Sequence, residues 1–223
     1  MNEQLSEIRK RLGEMAEPTY RDFVARLIPG ESQLLGVRLP ALRKLAKELA
    51  HSGVWQLQAA SAQSMEEVML RGMLIGYVRG VETADRLKAL AGFVPHIRNW
   101  SVCDSCCATY AFARREREAV WPWLMPYVVA EQEYPARFGV VMLLLHFKQE
   151  EEWAQRVAAV LPQVRAIGYY AQMAVAWCAC ELCLLYPRLA KPLLGSLCPA
   201  VHRLTLRKLR ESRKYRDAEF PRS

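Results

Sequence analysis

The sequence predicts an all-α fold, an α-solenoid of stacked antiparallel helix pairs bent into a crescent. Three observations predict it. Apolar residues recur at helical spacing almost everywhere, with few convincing strands. Proline and glycine cut the chain at short intervals. The links between the resulting segments are short, with no low-complexity stretch or linker, as successive antiparallel helices require. No repeat period is legible.

The elements follow in order. The amphipathic start MNEQLSEIRKRL predicts a helix over 2–15, and a second over 18–27 stops at Pro29-Gly30. Pro40 opens a helix over 38–51 that Gly53 closes. Helices follow at 64–79, 82–93 (ended by Pro95), 100–114 and 116–129, then at 135–147 after Pro135 and at 152–161 before Pro162. Gly168, Pro187 and Pro199 delimit helices at 168–186, 187–197 and 199–214. From Gly168 to Cys180 there is no formal charge. A helix apolar all round must be covered on most sides, or line a surface that holds a ligand.

The 223 residues are read as one domain, 1–223, of ordinary globular composition, 52% apolar and 24% charged. No apolar run approaches a membrane span, and the charged N-terminus lacks a signal peptide's apolar core. The expected location is cytoplasmic and the expected state a monomer. Seven cysteines, an odd number and mostly in helix-like runs, argue against a disulfide framework. Cys103/Cys106 and Cys180/Cys183 form two CxxC pairs, but apolar helical settings favour core packing over zinc. No metal and no cofactor are expected. There is no Gly-rich phosphate loop, GxSxG or HExxH, and the four histidines show no ligand spacing.

The net charge of +8 is unevenly placed. Residues 202–216 carry seven Lys or Arg, among them Arg203, Arg207, Lys208 and Arg210, against one Glu. Such a strip suits a polyanion or is simply a solvated terminal helix. In Asn99-Trp100-Ser101-Val102-Cys103-Asp104, Asn99 can cap a helix that places Trp100 and Asp104 one turn apart on one face. A Trp face beside a carboxylate receives a cation well. Taken singly, Trp100 reads as core and Asp104 as the partner of an Arg or a neighbouring helix. Arg137, at the start of an apolar helix, suits either a phosphate or a pairing with Glu133 or Asp104. Trp177 taken singly reads as core, sharing a face with Tyr169, Met173, Cys180 and Leu184, while Tyr169 and Tyr170 put aromatics at the helix start.

Four segments, in this order, resemble the HEAT-like-repeat DNA alkylation repair family, the AlkD-type alkylpurine DNA glycosylases. They are YRDFVARLIPGESQLLGVRLPALRKLAKEL, NWSVCD, YPARFGVVMLLLHF and YYAQMAVAWCACELC, and together they span nearly the whole chain. The resemblance implies HEAT-like helix pairs with a basic concave face that binds double-stranded DNA. It implies a cleft of Trp100, Asp104, Arg137 and Trp177 acting on purines made cationic at N3 or N7, without base flipping. Trp100 and Trp177 would cradle the deoxyribose and lesion, Asp104 would stabilise positive charge on the sugar and orient water, and Arg137 would clamp a phosphate. Tyr169, Tyr170, Arg203, Arg207, Lys208 and Arg210 are the further DNA-binding candidates. Departures exist: Trp177 is followed by Cys-Ala-Cys rather than a basic run, and Glu17 to Leu35 looks more like a branch lacking a short minor-groove-probing helix. The alternatives are a non-catalytic or weakly binding paralogue and a protein–protein adaptor.

Overall fold

A computed structural model describes residues 2–54, 57 and 62–212. Among them are thirteen α-helices, two 3-10 turns and no strand. The β-type pairing present is an isolated bridge between Ala16 and Val37. No described helix is long and apolar enough to cross a membrane. The last part of the basic strip, 213–216, lies outside the described residues.

The chain divides into two compact units, 1–112 and 113–223. The first holds α1 (Asn2–Glu14), α2 (Pro18–Leu27), α3 (Leu39–His51), α4 (Met65–Tyr77), α5 (Thr83–Phe93) and α6 (Trp100–Cys107). Prolines in the first turn start α2 and α3, where their missing N–H has no helical partner to lose. Ser64 starts α4 by accepting the Glu67 N–H at 3.2 Å. α4 carries the core of this unit, packing against α3, α5 and α6. Ion pairs Arg9–Glu67 and Arg11–Glu48 bind α1 to α4 and α3. α2 differs from its neighbours in having no buried residue.

A short α7 (Phe112–Arg115) straddles the boundary. The second unit then holds α8 (Arg117–Val128), α9 (Glu133–His146), α10 (Glu151–Val160), α11 (Tyr169–Leu185), α12 (Pro187–Ser196) and α13 (Pro199–Glu211). α11, charge-free as far as Cys180, is at its centre, covered by α9, α10, α12 and α13. In both units a helix packs on the helix two places along (α4–α6, α9–α11, α11–α13) as well as on its immediate neighbours. That is the stacking of helix pairs an α-solenoid requires.

The expected helices are present, with one division. The predicted 100–114 breaks into α6 and α7 because the chain turns at Ala108–Ala111. The Thr109 hydroxyl donates to the Cys106 carbonyl at 2.7 Å, and Tyr110, fully buried, drives into the core. A threonine back-bonding to its own turn and an aromatic anchored inward end the helix early.

Candidate DNA-binding site

In the first unit the site is built on α6. Asn99 is nearly fully buried, and its Oδ1 accepts the Val102 N–H at 2.9 Å, satisfying a donor that the helix leaves open. Its Nδ2 donates to Glu31 at 3.0 Å, tying the start of α6 to the loop after α2. α6 buries Val102, Cys103, Cys106 and Cys107, and the Cys106 thiol donates to the Met69 carbonyl of α4 at 3.4 Å. The opposite side, with Trp100 and Asp104, stays half-buried. The Trp100 indole N–H donates to the carbonyl of Leu27 at 3.4 Å, so the ring is oriented by the last residue of α2. Asp104 thus lies on an accessible face one turn from Trp100, and engages neighbours there.

Beside the start of α6 is a cavity of about 300 Å³, lined by Glu31, Gln33, Ser64, His96 and Arg98 among others. The loop between α2 and α3 is held by Glu66. Its buried carboxylate accepts the N–H groups of Gly36 at 2.8 Å, Leu35 at 3.1 Å and Val37 at 3.3 Å. Three donors on one carboxylate compensate its removal from water.

In the second unit the site residues gather where α9 meets the first turn of α11. Glu133 and Arg137 are four apart on α9 and hold the two ends of Tyr170's backbone. Glu133 Oε1 accepts the Tyr170 N–H at 2.6 Å, and Arg137 Nη1 donates to the Tyr170 carbonyl at 2.7 Å. A carboxylate at a helix N-terminus also meets the positive end of its dipole. Gly168 permits this, since a Cβ there would meet the Glu133 carboxylate. The Tyr170 ring stacks on Tyr134 at 6.0 Å and meets Tyr169 edge-on at 5.4 Å. Tyr169 is exposed, and two turns beyond Tyr170 the Trp177 ring is half-buried.

Three single-residue expectations change. Trp100, read alone as core, is half-buried. Trp177, read alone as core, is half-buried, because α11 buries Ala174, Val175, Cys178 and Leu182 instead. Arg137, read as an open anion site or as paired to Glu133 or Asp104, is only 6% exposed and bonds the Tyr170 carbonyl, so it is not an open anion site. On α13, Arg203, Arg207 and Arg210 are exposed and Lys208 is half-buried. A hydrogen bond to Glu211 holds the Arg207 guanidinium above its ordinary pKa, with Tyr169 a smaller contribution. Glu133 and Tyr134 are neighbours of the candidate Tyr170 whose contacts with it sequence reasoning missed. They meet Tyr170 across more than thirty residues of chain, so no local spacing signals it.

The six helical cysteines are buried free thiols, and Cys198 is exposed. Burial pushes Cys178 and Cys183 up to about 12 and Cys180 up to about 11. No group of three or more His, Cys, Asp or Glu gathers to hold a metal among the described residues.

No curated protein matches this chain. The family model described as DNA alkylation repair enzyme matches residues 8–178. The match runs from within α1 to within α11 and takes in Trp100, Asp104, Arg137, Tyr169, Tyr170 and Trp177, but not the basic α13. With well over half its length inside that match, the chain belongs to the DNA alkylation repair enzyme family, and its work is DNA repair on DNA itself.

Proposed function

We propose that the protein is a DNA N-glycosylase that hydrolyses the N-glycosidic bond of purines made cationic by alkylation at N3 or N7, without flipping the base. The observation that carries the reading is the Trp100–Asp104 face of α6, accessible while Val102, Cys103, Cys106 and Cys107 of the same helix are buried. When the C1′–N bond breaks, its electron pair goes to the purine and neutralises it, so no strong acid is needed. Positive charge develops on the deoxyribose. The Asp104 carboxylate stabilises that charge and orients the water that attacks C1′; such fixed charges are worth most where water is excluded. Trp100 and Trp177 offer ring faces to the cationic sugar and lesion. Tyr169, Tyr170 and the cations of α13 bind the DNA, and Arg137 is the phosphate clamp. The substrate is double-stranded DNA, and the protein acts as a monomer without cofactor.

One observation favours a second reading, DNA binding without the reaction: Arg137 is nearly buried and turned onto the Tyr170 carbonyl. Methylated duplex DNA decides between them. Release of 7-methylguanine or 3-methyladenine by the wild-type protein supports the glycosylase. Duplex binding with no release of either base supports the second reading.

A further inference from the structure

Ile167 is 87% exposed, the highest value among the exposed large hydrophobic residues. It is also held in place rather than loosely displayed. On one side Ala166 is buried, and on the other Ala171 is buried with it against Ala136 of α9. Glu133 and Arg137 grip the backbone three residues on, at Tyr170. Its β-branched side chain has few rotamers to lose. Leaving such a group in water forgoes the stabilisation of burial; one exposed apolar side chain is ordinary by itself, and it is the residues beside it that give it a use.

The surroundings indicate what the contact is. Arg165 is exposed two residues before, and Tyr169 is 59% exposed two residues after. Arg207 of α13 lies close enough to Tyr169 for the two to interact electrostatically, and Arg203 is exposed one turn earlier on the same helix. A small apolar group with an exposed arginine two residues before it and an exposed tyrosine, itself near Arg207, two residues after it complements a polyanion that also presents apolar faces between its charges. Duplex DNA does so at its base steps, where apolar side chains insert and partly unstack the bases.

We propose that Ile167 is an apolar wedge that inserts at a base step of double-stranded DNA, with Arg165 and Arg207 on flanking phosphates. The proposal rests on the reading above that the aromatic start of α11 faces DNA, but not on base excision. The wedge opens the stack locally, which exposes the sugar edge of the neighbouring nucleotide. A groove of about 200 Å³ beside Ile167, lined by Val164, Val175, Leu197 and Val201, would suit an apolar protein segment instead. Arg165 and Arg207 favour DNA.

The test uses the full chain and a short unmodified duplex carrying 2-aminopurine, whose fluorescence rises on unstacking. The wild-type protein should bind and raise the signal. Ile167→Ala, at so exposed a position, should keep the melting temperature, bind several-fold more weakly with an unchanged salt slope, and lose most of the signal. Ile167→Met should restore both. Arg165→Ala with Arg207→Ala should instead flatten the salt slope. Wild-type binding without a fluorescence rise overturns the wedge, as does Ile167→Ala behaving like wild type. Loss of self-association in Ile167→Ala at unchanged DNA affinity also overturns it and assigns the groove to a protein partner. Because the duplex is undamaged, a protein that releases no alkylpurine but unstacks through Ile167 sinks the glycosylase and keeps the wedge; the converse result does the opposite.

Discussion

Asp104 is separated from the core by one step around a helix. Val102, Cys103, Cys106 and Cys107 fill the interior, and the carboxylate turns out beside Trp100. If it stabilises charge on the sugar, removing the charge at constant shape should remove the catalysis alone. Asp104→Asn should keep the far-ultraviolet spectrum and most duplex affinity. It should slow alkylpurine release by about 10²–10³-fold, the usual effect of losing one preorganised electrostatic group. Single-turnover release from methylated duplex measures this, and an Asn variant as fast as wild type would show that the carboxylate is not used. The Trp100–Asp104 pair was legible from Asn99 and the spacing of four. The orientation of Trp100 by the Leu27 carbonyl was not, since the two residues are 73 apart in the chain.

At the scale of the element, α6 sits where it does because α4 lets it approach. A Cβ at Gly72 would lie 2.5 Å from both the Cys106 sulfur and the Phe93 ring. Both neighbours are buried, so neither can swing aside. Gly72→Ala should therefore overpack the α4–α6 interface and cost about 1–3 kcal/mol, with a lowered urea midpoint. α6 should shift with it, so alkylpurine release should fall more than duplex binding does. An unchanged midpoint would mean that the two helices are packed more loosely than the geometry indicates. α11 shows the same dependence on a neighbour. Its charge-free stretch to Cys180 announced that it would be covered, but nothing local announced that α9 would hold its first turn through Glu133 and Arg137.

For the whole molecule, two measurements report on charge. The thiols of Cys106, Cys107, Cys178, Cys180 and Cys183 have folded-state pKa values raised above the ordinary 9.0, to about 12 for Cys178 and Cys183, because burial disfavours the thiolate. A raised folded pKa stabilises the fold below the unfolded value and ceases to do so as pH rises through the folded one. Stability should fall as pH climbs from 9.0 towards about 12, and thermal melts across that range measure it. A thiol reagent at mildly alkaline pH should label Cys198 first and the other six only on unfolding. Rapid native labelling of Cys180 would contradict the burial. The second measurement is salt. Duplex affinity should fall linearly in log–log form, and replacing Arg203, Arg207 and Arg210 together should reduce the slope by about 0.9 for each phosphate that is no longer neutralised. A wild-type slope near zero would exclude phosphate neutralisation as the source of binding and favour an adaptor.

The sequence by itself determined the all-α class and the order and extent of nearly every helix. It also determined the family, from four ordered segments, three of which lie wholly inside the match over 8–178 and the fourth as far as Cys178. These are properties of periodicity, punctuation and composition, which act over a few residues and do not need a partner. The tertiary structure alone decided which side of each helix remained accessible. It left Trp177 half-buried where a tryptophan taken singly reads as core, and buried Arg137 where an arginine at a helix start reads as an anion site. It set Ile167 out in solvent although its neighbour Ala166 is buried. The reason is physical: burial is a relation between two surfaces, and the second surface here belongs to a helix thirty or more residues away.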